Sequence, residues 1–144
     1  MKNPVYSTSG KVPDSSSLTK LKTLGYHDIT EKKGEFSYGR TKGEVWILPD
    51  TSIIATTSLN YEEWCRILTS IRGPREWERL EPLKDTEGNF IGPDLALKHT
   101  IGNAVSEKSL YASYIAAILA YESLIHVINP EQKSKEPVHT RSNI

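Results

Sequence analysis

The chain has 144 residues, 18 Lys plus Arg against 18 Asp plus Glu, four histidines and one cysteine. That length suits one domain with its own core, the single Cys65 excludes an internal disulfide, and the zero formal charge gives no net field toward nucleic acid or anionic lipid. The first seventeen residues, MKNPVYSTSGKVPDSSS, lack the apolar run of a secretory signal, so a cytoplasmic setting is expected.

In chain order, residues 1–13 read as a polar tail, 14–129 as one α+β domain and 130–144 as a second polar tail. The domain divides into an α-β-β-β-α part at 14–73, a connector and hairpin at 74–92 and a helical part at 93–129. In DSSSLTKLKTLGY, Asp14 or a following serine can cap a short helix with Leu18, Leu21 and Leu24 on one face, stopped by Gly25. The next stretch, through SIIATTS, is β-branched, aromatic and punctuated by Lys33-Gly34, Lys42-Gly43 and Pro49-Asp50. It predicts three or four antiparallel strands, with EVWIL and SIIATT central.

NYEEWCRILTSIRGP carries the clearest local signal: Asn60 caps, Glu63 completes a capping box and Gly73-Pro74 ends the helix. Tyr61, Trp64, Leu68 and Ile71 form its expected buried stripe. REWERLEPL reads as a connector, LKDTEGNFI as a turn around Glu87-Gly88-Asn89, and PDLALKHT as about two helical turns. Asn103 is then expected to cap one long buried helix that Pro130 terminates.

That helix contains SLYASYIAAILAYESL, thirteen uncharged residues before Glu122, too few for a membrane span of ~20. At helical period, Gly102, Ser106, Ser109, Ser113, Ala116, Ala120 and Ser123 fall along one seam. A bulkier face carries residues such as Leu110, Tyr114 and Ile118, while Lys108, Glu122 and His126 share a polar strip. The seam invites a close helix, either the Asn60 helix or the same seam of a second copy about a two-fold axis. Ser109, Ser113, Ala116, Ala120 and Ser123 are therefore the candidate interface, and a dimer is the expected assembly.

Two further clusters bear chemistry. His99, Glu122 and His126 are candidates for a metal or acid–base site, because Glu122 and His126 are four apart on one helical face. Arg66, Arg72, Arg75, Trp77 and Arg79 form the most basic aromatic stretch, suited to phosphate contact and base stacking, although five glutamates lie in the same segment. Asp85, Glu87 and Asn89 mimic a calcium loop, but Gly88 stands at its fourth place where the EF-hand needs a glycine at the sixth. No phosphate-binding loop, dinucleotide motif, nucleophile elbow or zinc-protease motif occurs, and no cofactor or resident metal is expected.

The element order read from Ser15 to Arg72, with LKTLGYHDITEKKGEFSYGRTKGEVWILP at its centre, is similar to double-stranded-RNA-binding-like folds, including the HicA-type toxin ribonucleases. In that family a histidine follows the lysine–glycine turn. Here Gly34 is followed by Glu35, Phe36 and Ser37, so the resemblance implies a fold order and not ribonuclease activity. The expected function is a non-catalytic interaction protein that self-associates and binds or blocks a macromolecular partner, the first expectation being a protein. Nucleic-acid or nucleotide binding through the sheet and the Arg66–Arg79 segment is the alternative, and a small enzyme around Glu122 and His126 the third reading.

Overall fold

A computed structural model describes residues 12–25, 34–72, 76–81, 85–87, 89, 96–130 and 137–144. Among these, strands β1 (Thr19–Lys22), β2 (Glu35–Thr41), β3 (Glu44–Pro49) and β4 (Thr57–Asn60) form an antiparallel meander in that order. Helix α1 (Tyr61–Ile71) leaves β4 directly. After the two-residue β5 (Glu78–Arg79) come α2 (Leu97–Ala104), a 3-10 turn at Ser106–Tyr111 and α3 (Ala112–Tyr121). Strands β6 (Ile125–Ile128) and β7 (His139–Ser142) follow, and the second sheet is antiparallel with order β5-β7-β6. The fold is α+β.

The meander is set by its hairpin. Thr41 pairs with Glu44 across Lys42-Gly43, and Gly43 takes φ +85°, a left-handed conformation that glycine adopts without a steric cost. Alternation then sends Phe36, Tyr38, Val45, Ile47 and Leu59 to one face, where all are buried. Helix α3 lies over that face, with Phe36 and Tyr114 edge to face at 5.1 Å between centroids. Ile67, Ile71, Ile101, Ile115, Ile118 and Leu119 close the same core from the helices.

Helix α1 begins as its sequence dictates. Asn60 Oδ1 accepts from the Glu63 amide at 2.8 Å, and Glu63 Oε1 accepts from the Asn60 amide at 2.9 Å. Trp64 and Ile71 are buried as expected. Tyr61, expected in the same stripe, is 72% exposed in the first turn, and Ile67 takes the core position instead.

Three expected elements are corrected. The Leu18–Leu21–Leu24 helix is absent: Ser15–Ser17 make one 3-10 turn and the leucines flank or lie in β1. Leu21 pairs with Phe36 on the core side. Leu18 covers the opposite side at Gly39, where an added Cβ would sit 2.6 Å from Leu18 Cδ2. The helix–strand–strand–strand–helix order behind the resemblance is therefore not that of this chain. SIIATT is not a strand; β4 starts at Thr57, its last residue, and Ile53 in the preceding loop is 88% exposed.

The long helix is not continuous either. Its longest run, Ser106–Tyr121, is 16 residues and opens with 3-10 turns at Ser106–Tyr111 that are kinked at Lys108, whose φ of −119° and ψ of 24° are not helical. Val105 at φ −132° separates it from α2, so Asn103 lies inside α2 rather than capping a following helix. The chain also leaves the helix at Ser123, well before Pro130. Ser123 takes φ +61°, its amide bonds Ala120 O, and the Leu124 amide reaches back to Leu119 O, the paired bonds of a Schellman motif. Residues 139–142, within the stretch read as a polar tail, form β7.

Candidate binding surface

The candidates His99, Glu122 and His126 are not arranged as a metal site. His99 lies on α2, whereas His126 is exposed on β6. Glu122 closes α3 and is committed elsewhere: Arg40 Nε bonds its Oε2 at 2.7 Å, Arg40 Nη2 bonds its Oε1 at 2.8 Å, and the Tyr38 hydroxyl donates to Oε2. Burial pushes the Glu122 carboxyl above its usual range and the Arg40 guanidinium below its own, so desolvation outweighs their mutual attraction in setting the direction. Arg40 also lies over the Trp64 ring, 5.1 Å from its centroid. Among the described residues no group of three or more His, Cys, Asp or Glu side chains is arranged to hold a metal.

Lys108 is structural too. Its ammonium is buried and donates to Ser58 O at 2.6 Å and Glu63 Oε1 at 2.7 Å, which ties the 3-10 turn to β4 and to the first turn of α1. Asp85 accepts the Glu87 and Asn89 amides, both at 2.9 Å, so the calcium-like sequence is an Asx-type turn; Gly88 lies outside the described residues.

The small-residue seam is divided. Ala116 is fully buried within this chain, and Ser113 and Ala120 are half-buried. Ser123 is exposed in the left-handed turn position. Nearer its start the seam folds onto α2, where an added Cβ at Gly102 would meet the Ser109 Cβ at 3.4 Å. Ser106, Ser109 and Ala112 line an open groove of about 410 Å³ with Lys98, His99 and Asn103. Ala116 is thus corrected from interface to core. Ser109 remains accessible beside Leu110, which is 65% exposed.

The basic aromatic stretch is regrouped. Arg66 bonds the Ala104 carbonyl at the end of α2 at 3.1 Å, Arg72 is exposed where α1 ends, and Arg75 lies outside the described residues. Arg79 stands on the second sheet, and Trp77 directly precedes its strand β5. Arg79 pairs with His139, which pairs with Ile128; His126 pairs with Arg141, whose guanidinium lies 5.1 Å from the Trp77 ring centroid. Because side chains alternate and cross-strand partners share a face, these residues form two rows on one side of the sheet. One row is Trp77, Arg141 and His126; the other is Arg79, His139 and Ile128.

The opposite side carries Leu80, Ile125, Val138 and Thr140, all buried, so the fold fixes which side meets solvent. Within these three strands the sole carboxylate, Glu78, pairs with Thr140 and belongs to the inward side. Glu81, just beyond β5, is held by Lys98 at 3.0 Å. The result is a cationic, aromatic face on a protein of zero net formal charge. His126, His139 and Arg141 were missing from the nucleic-acid candidates, although the alternation in Val138-His139-Thr140-Arg141 is a strand signal.

No family model, curated protein or solved structure matches this chain significantly. No helix among the described residues is long and apolar enough to cross a membrane.

Proposed function

We propose that the protein is a non-catalytic interaction protein that holds a macromolecular partner on the exposed face of the β5-β7-β6 sheet. The carrying observation is the gathering of Arg79, His126, His139 and Arg141 from three strands, with Trp77 beside them, onto one side of the sheet, where Trp77, His126 and Arg141 are exposed and Arg79 and His139 half-buried. The groups best suited to acid–base chemistry lend it indirect support, since Glu122 and Lys108 are engaged in ion pairs that join elements of the fold. Self-association belongs to the same reading, through the exposed Leu110 and the groove beside Ser109.

The test is affinity capture from the native cell with the tagged protein and with its Arg141→Glu variant, circular dichroism confirming that both are folded. A species retained by the first and lost by the second supports the reading. Identical captures contradict it.

A further inference from the structure

We propose that the partner of this face is a single-stranded nucleic acid, an assignment that rests on the face being the binding surface. Three observations point the same way. First, the positive charge is local: the whole chain balances 18 cations against 18 anions, yet the sheet places Arg79 and Arg141 on one side, and the carboxylate that follows on that side, Glu81, is paired with Lys98. A phosphodiester chain is the ligand whose charge repeats along such a surface.

Second, neither arginine has a carboxylate partner among the described residues. Arg141 makes its contact with the Trp77 ring, and Arg79 Nε is buried with no hydrogen-bond partner.

Third, Trp77 is 40% exposed while Arg141 lies over its ring. An indole beside a guanidinium provides a stacking surface for an unpaired base next to a donor for its phosphate. An acidic peptide would use the arginines and leave the indole without a matching group. A duplex hides its base faces in its own stack, so it loses the Trp77 contribution too. The two rows are two residues apart along the strands, about 7 Å, so the cationic groups extend along the sheet as well as across it.

The assay is fluorescence anisotropy of the full chain with a labelled oligonucleotide of about twelve nucleotides, as RNA and as DNA, each single-stranded and annealed. Single strands are expected to bind more tightly than duplexes, and the RNA and DNA arms identify the natural chemistry. Trp77→Ala should weaken single-strand binding about ten-fold. With about two phosphates neutralised, affinity should fall roughly seven-fold between about 50 and 200 mM salt, a logarithmic slope near −1.4. Arg141→Gln should reduce that slope by about 0.7.

No binding at low salt overturns the proposal, as does binding that Trp77→Ala and Arg141→Gln both leave unchanged in folded protein. If oligonucleotides fail while a captured partner is still lost on Arg141→Glu, the nucleic-acid assignment falls and the binding face stands. If capture is also independent of Arg141, both fall.

Discussion

Lys108 Nζ lies 2.7 Å from Glu63 Oε1, and that same oxygen accepts the Asn60 amide of the capping box. The ammonium side chain is 5% exposed and the carboxylate 12%, so one buried pair joins the 3-10 turn, β4 and α1. Removing one member strands the other charge. Lys108→Met is expected to cost about 3–5 kcal/mol in urea unfolding, with much of the loss recovered in the Lys108→Met/Glu63→Gln double variant. A loss below about 1 kcal/mol for the single variant would mean that the pair does not clamp the fold.

The Arg40–Glu122 pair should leave a signature in acid. Burial raises the folded-state value of the Glu122 carboxyl above its reference of 4.5. The folded state therefore binds more protons than the unfolded one in the window just above that reference, and stability decreases with pH there. The contribution is fully present below the unfolded value and lost as pH rises through the folded one. Thermal melts between about pH 4 and pH 7 should show wild type falling relative to Glu122→Gln as pH increases. The opposite slope would show that Arg40 dominates the carboxyl.

Ser123 holds a left-handed position at the end of α3, where glycine is the usual residue. Ser123→Gly is expected to raise stability by about 0.5–1 kcal/mol, and Ser123→Ala to give no such gain. Chemical denaturation of the two variants decides this, and equal behaviour would remove the backbone explanation.

Self-association should depend on Leu110 and not on Ala116. Sedimentation at high concentration is expected to give a mass above the 16.2 kDa monomer, reduced by Leu110→Asp. Ala116→Leu, at a fully buried position, should cost about 1–3 kcal/mol of stability through overpacking. A strictly monomeric wild type would defeat this prediction.

Local rules made parts of the fold legible. The Asn60–Glu63 box needs only residues three apart, and the Lys42-Gly43 hairpin needs one glycine with positive φ. The leucines of the first segment misled because both sides of β1 have something to cover. Leu18 serves Gly39 on one side and Leu21 faces Phe36 on the other, so a three-residue spacing fitted a strand as well as a helix.

The apolar run before Glu122 hid its own break for a similar reason. Lys108 looked like part of a solvated strip until β4 and α1 supplied its partners, Ser58 and Glu63, fifty and forty-five residues away. The candidate surface was half visible: Trp77 and Arg79 stood out, but their companions come from β6 and from a stretch near the C-terminus that composition alone marks as tail. Pairing of β7 between β5 and β6 is a long-range event, and residue content does not encode its register.

The most direct test of the proposed surface is an NMR titration of the isotope-labelled chain with the single-stranded oligonucleotide that binds best. The expected result is a perturbation of the Trp77 indole and of Arg79, His126, His139 and Arg141, with Ile53 and Leu110 unmoved. Saturable shifts confined to the groove beside α2, or no shift on the sheet, would contradict it.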